Sequence, residues 1–100
     1  MRHVRIELPH HLRTLAEVGS TVEVEVRDPP TPDALLDALE DRLPMLRGTI
    51  RDRATRERRA YLRYFVEGRD ISHDPSDRPL PPSVAEGKEP FIVMGAISGG

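Results

Sequence analysis

The segment Val22-Glu23-Val24-Glu25-Val26-Arg27 sets valine against charge at every second position, and few features constrain a short chain more. Side chains alternate between the two faces of a strand, so this spacing buries one face and wets the other, whereas a helix would scatter the valines around its circumference. Val4, Ile6 and Leu8, alternating with Arg5 and Glu7, repeat the pattern near the N-terminus. Two such segments can pair antiparallel and give their apolar faces to one core. Leu12, Leu15 and Val18 lie between them and are read as side chains tucked beneath a loop that finishes at Gly19-Ser20.

Pro29-Pro30 ends the second strand, and Thr31-Pro32-Asp33 then supplies an N-cap, a proline at the first helical position and an acid in the first turn. Leu35, Leu36, Leu39 and Leu43 follow at helical spacing, while Asp33, Asp37, Glu40 and Asp41 mark the wet face and Pro44 stops the run. Leu46 and Ile50 suggest one further helical turn. Residues 60–66, rich in aromatic and β-preferring types, predict a third strand closed by the turn Glu67-Gly68-Arg69-Asp70. Four prolines between Ser72 and Ser83 predict a loop of extended character. Gly87-Lys88-Glu89 then turns the chain into Phe91-Ile92-Val93-Met94, a strand that starts after Pro90, which has no N–H to donate. Apolar at every position, it reads as covered on both faces, by a partner protein or by the chain's own loops.

The order strand, strand, helix, strand, loop, strand makes an α+β layer: a mixed four- to five-stranded sheet with one main helix packed across one face. The crossover rule predicts that the strands flanking the helix run parallel, adjacent or with one strand between them. This is the order of the ubiquitin-like β-grasp fold, with a globular domain over 1–94 and an extended tail over 95–100.

One hundred residues suit a single domain that buries roughly two-thirds of its unfolded surface, leaving little room for an enclosed catalytic cavity. Without cysteine there is no disulfide, zinc-thiolate site or thiol nucleophile. The N-terminus lacks the apolar stretch of a signal peptide and no run approaches membrane-spanning length, so a cytoplasmic protein without membrane contact is expected. Net charge is -2, yet residues 47–63 hold seven arginines against Asp52 and Glu57. With only Tyr61 and Tyr64 nearby for base stacking, this block is read as a solvated helix end and loop, and no nucleic-acid partner is expected. His10 and His11 are adjacent and would point apart in extended structure, and surface histidines are the ordinary outcome, so no metal site is expected at these or at His3 and His73. Phosphate-loop, catalytic-serine and dinucleotide motifs are missing.

After Met94 the chain reads Gly95-Ala96-Ile97-Ser98-Gly99-Gly100. Residues without a Cβ can lie in a slot too narrow for other side chains, at a high entropic cost of ordering, so a Gly-Gly end suits delivery of a terminal carboxylate to a buried centre. Together with Leu12-Arg13-Thr14-Leu15, Pro44-Met45-Leu46-Arg47, Phe65-Val66-Glu67-Gly68-Arg69-Asp70-Ile71 and the whole run from Gly87 to Gly100, this tail resembles the MoaD/ThiS family of sulfur carrier proteins, closest to the small subunit of molybdopterin synthase. Lys88 and Pro90 depart from that pattern, and the 72–83 loop is longer.

The resemblance implies a carrier rather than an enzyme. An E1-like adenylating enzyme would activate the Gly100 carboxylate, the ATP and Mg being that partner's and no cofactor being bound here. A sulfur donor would convert the acyl-adenylate to a thiocarboxylate, because AMP leaves where a carboxylate oxygen does not. Ser98 and Gly99 would thread the partner's slot. Arg13, Phe91, Val93, Met94 and Ile97 are the partner-docking candidates, with a rival assignment of Phe91 and Val93 to the core. The sulfur would pass to molybdopterin through a larger, MoaE-like synthase subunit. Delivery to thiamine thiazole, cysteine or tRNA stays open, as do conjugation of Gly100 to protein lysines and a binding module with an inert tail.

Overall fold

The two alternating segments become β1 (Arg2–Glu7) and β2 (Thr21–Val26), paired antiparallel from Arg2 against Val26 to Glu7 against Thr21. The computed structural model describes residues 1–95. Val4, Ile6, Val22, Val24 and Val26 are all buried on one face, as the alternation requires.

The connection between them is not a loop but a helix, α1 (His10–Ala16). Leu12 and Ala16, four apart, are buried on its inner side, while Leu15 turns outward, against the expectation that it lies beneath a loop. The helix ends at Glu17 in a left-handed conformation (φ 56°), and Val18 N–H donates to the Arg13 carbonyl at 3.1 Å. A glycine-type end at a glutamate gives no signal in the sequence.

α2 (Pro32–Arg42) starts as expected, with Thr31 Oγ1 accepting from Ala34 N–H at 3.1 Å and Pro32 in the first turn. Leu35, Leu36 and Leu39 are fully buried against the sheet. Pro44–Leu46 forms a 3-10 turn in place of a further α-helical turn. β3 (Leu62–Val66) and the two-residue β4 (Arg69–Asp70) make a hairpin, and α3 (Pro82–Ala85) interrupts the proline-rich loop, burying Val84 and Ala85.

β5 (Phe91–Gly95) completes the sheet in the order β2-β1-β5-β3-β4. It runs parallel to β1, with Ile6 opposite Phe91, and antiparallel to β3, with Tyr64 opposite Val93. β2 and β3, the strands on either side of α2, are therefore parallel, but two strands separate them where at most one was expected. The central pair in between comes from the two ends of the chain. This five-stranded mixed sheet with one main helix across it is the ubiquitin-like β-grasp fold.

Candidate functional site

β5 holds the middle of the sheet and delivers the chain to the glycine-rich end. It runs one residue past the expected domain boundary, to Gly95, which lies opposite Leu62 of β3. Two hydrogen bonds from Arg5 secure the turn that feeds it: Nε donates to the Gly87 carbonyl at 3.0 Å and Nη2 to that of Lys88 at 2.7 Å. Gly87 has φ +77°, and a Cβ there would stand 3.3 Å from the His3 carbonyl oxygen, so left-handed backbone and close approach both favour glycine. Lys88 itself is exposed, its Nζ 3.1 Å from Glu86. No local motif marks Arg5, because its partners lie 82 and 83 residues away.

Two of the docking candidates are corrected by the packing. Phe91 and Val93 point inward into the cluster that holds Leu36 and Leu39, and the Phe91 ring tilts against Tyr64 at a centroid distance of 5.1 Å. They are core, as the rival assignment had it. Met94 points to the outer face and is exposed, while Ile92 on the same face is half-buried, so the described residues do not cover the strand fully on both faces. Arg13 is half-buried, its Nε donating to the Leu8 carbonyl at 2.6 Å and joining α1 to the end of β1. The expectations for Ile97, Ser98, Gly99 and Gly100 lie outside the described residues.

The arginine-rich segment differs most from its sequence reading. Arg51 is only 3% exposed; its Nε and Nη2 bond both Glu40 oxygens at 3.1 and 3.0 Å, and Nη2 also bonds Asp37 at 2.8 Å. Burial alone would lower the guanidinium pKa, but the Glu40 and Asp37 carboxylates outweigh it and hold it above its ordinary value. Glu40, placed on the wet face of α2, is buried as this partner. Arg56 pairs with Asp37, Arg47 with Asp41, and Arg59 bonds the Gly48 carbonyl and faces Asp52. Acids of α2 thus neutralise much of the block. Asp52 accepts from the Thr55 and Ala54 N–H groups, which together hold its carboxyl below the usual range.

His10 and His11 are exposed at the start of α1, His3 lies 3.5 Å from both Glu23 and Glu25, and His73 meets Arg63. Among the described residues no group of three or more metal-ligating side chains is placed to hold an ion, and no helix is long and apolar enough to cross a membrane. The Tyr64 hydroxyl is buried without a hydrogen-bond partner among them, and burial pushes its pKa up to about 12.

Body and feed strand together define a protein of ubiquitin-like β-grasp fold. The chain is similar over nearly its full length to small archaeal modifier protein 1 from Haloferax volcanii, at a TM-score of 0.77 and 20% identity, covering 97% of this chain and 100% of that one. It is similar to a chain of the BexX/CysO complex from Amycolatopsis orientalis (TM-score 0.72, 16% identity, 97% and 99% covered) and to small archaeal modifier protein 1 from Methanosarcina acetivorans (0.68, 17%, 100% and 98%). At these identities the likeness establishes the shared fold. No protein-family model and no curated protein sequence matches the chain.

Proposed function

We propose that this chain is a carrier whose reactive group is the Gly100 carboxylate, activated by an E1-like adenylating enzyme and converted to a thiocarboxylate. The observation that carries this reading is the placement of β5: a central strand of a β-grasp body is the last described element before a Gly-Gly end in the sequence. The occurrence of a similar small chain in the BexX/CysO complex supports action through a protein partner rather than catalysis by the chain itself.

In the first step the carboxylate attacks the α-phosphate of ATP and pyrophosphate leaves, giving an acyl-adenylate. Sulfide then attacks the acyl carbon, AMP departs with the C–O electron pair, and a thiocarboxylate remains. The chain's residues present the carboxylate; ATP, Mg and the catalytic side chains belong to the partner. Molybdopterin, formed with a MoaE-like subunit, is the favoured destination of the sulfur on the sequence's resemblance to the MoaD branch, ahead of thiazole, cysteine or tRNA.

A second reading has one observation in its favour: two of the similar structures are named as archaeal modifier proteins. Gly100 would then form an isopeptide bond with a lysine of a target protein. Mass spectrometry after incubation with the E1-like enzyme of the same organism, ATP, Mg and sulfide separates the two. A thiocarboxylate adds about 16 Da, sulfur for oxygen. Adducts of protein size in cell extract would favour the modifier, and neither product would overturn the carrier reading.

A further inference from the structure

Among the described residues, five large apolar side chains stay exposed, and their distribution is uneven. Met1 stands at the start of β1, whereas Leu15, Met45, Tyr61 and Met94, each 44 to 49% exposed, belong to one end of the fold. The pairing of Leu62 with Gly95 sets Tyr61 beside the point where β5 finishes. The parallel register of Glu7 with Ile92 brings the start of α1 alongside Met94. α1 packs on the 3-10 turn that holds Met45, and the Tyr61 hydroxyl donates to the Thr49 carbonyl, three residues beyond that turn, at 3.2 Å.

We propose that Leu15, Met45, Tyr61 and Met94 form the docking collar for the enzyme that adenylates Gly100. The inference rests on the carrier reading and adds the surface by which the enzyme is recognised. Gly100 lies five residues beyond Gly95, a reach of at most about 18 Å even when fully extended. A carboxylate delivered into a water-excluded centre over that distance draws the enzyme's surface up against this end of the fold. Whatever receives the tail therefore covers the collar, and four large apolar groups there gain by the exclusion of water. Arg13 of α1, partly exposed, and the exposed Arg47 just past the 3-10 turn stand beside these side chains and suit carboxylates on the enzyme, although Arg47 already faces Asp41. Met94 alone carries the collar onto the outer face of the sheet, where Arg5, Glu7, Glu23, Glu25 and Arg63 mix charges of both signs around the half-buried Phe65 and Ile92.

The test measures steady-state pyrophosphate release against the concentration of full-length chain, using the E1-like enzyme of the same organism with ATP, Mg and sulfide, which discharges the acyl-adenylate and allows turnover. Leu15→Glu and Met45→Glu change exposed positions on two different elements, and Glu25→Ala, opposite His3 at the far end of the sheet, is the control. Each collar variant is expected to raise KM about tenfold or more with kcat within about twofold and an unchanged melting temperature. The control is expected to match wild type. Collar variants whose KM stays within about twofold of wild type, or a control that rises as far as they do, overturn the collar while leaving the carrier intact. A wild-type chain that releases no pyrophosphate overturns both.

Discussion

Arg51 shows how one residue can be misjudged from its neighbours in the chain. Six other arginines surround it between 47 and 63, which reads as a solvated block, yet it is buried and held by Glu40 and Asp37. Removing one partner of a buried ion pair strands the other charge, so Arg51→Met is expected to cost about 3–5 kcal/mol in urea unfolding at neutral pH. Replacing Glu40 by Met in the same chain should recover a large part of that loss; a single variant as stable as wild type would mean that Glu40 finds other partners. Tyr64 is the opposite case, a buried hydroxyl that bonds nothing among the described residues. Tyr64→Phe deletes that oxygen and is expected to leave neutral-pH stability unchanged or higher by up to about 1 kcal/mol. The pH dependence has a definite sign. Because the folded-state pKa is raised from 10.0 to about 12, the neutral phenol's contribution is intact below pH 10.0 and is lost as pH rises toward 12. Thermal melts across that window should show a shallower decline for the phenylalanine variant than for wild type.

At the level of elements, what was legible followed from strong local signals. The Thr31-Pro32-Asp33 start of α2 could be read because cap, proline and acid act within one turn, and Thr31→Ala is expected to lose about 1 kcal/mol in denaturant unfolding. Thr31→Ser, which keeps the oxygen, should lose less; equal losses would assign the effect to packing of the threonine methyl. β1, β2, β3 and β5 were equally readable from alternation or from continuous apolar runs. α1 and α3 were not. α1 is seven residues long and buries only Leu12 and Ala16, too few positions for a period to emerge, and its left-handed end falls on Glu17 rather than a glycine. α3 begins at Pro82 inside a run of prolines, where the same residue type serves an extended loop or a helical first turn. β4 has two residues and depends wholly on β3 for its hydrogen bonds. In each case tertiary packing selects the structure, and the local sequence merely permits it.

On the scale of the whole molecule, the ends of the chain meet in the centre of the sheet: β1 and β5 are adjacent and parallel, and no spacing in the sequence states that pairing. It has a consequence for the candidate site. Phe91 and Val93, put forward as docking residues because they precede the tail, are instead the core side chains of the strand that anchors it. The segment is thus divided, inward residues fixing the strand and outward ones, with Met94, left exposed. Among the described residues the last core side chain is Val93, and neither Gly99 nor Gly100 has an apolar side chain to lose. Deleting Gly99 and Gly100 is therefore expected to shift the melting temperature by less than about 3 °C, within the range of ordinary surface changes. The same deletion, or one alanine added after Gly100, should abolish the gain of mass on incubation with the activating enzyme, ATP and sulfide. The two variants separate stability from chemistry, since the first removes the reacting glycine and the second keeps every residue but moves the carboxylate by one position and gives it a Cβ. A truncated chain that melts like wild type and still gains sulfur would place the reactive group elsewhere. A truncated chain that unfolds would show that the tail belongs to the fold as well as to the site.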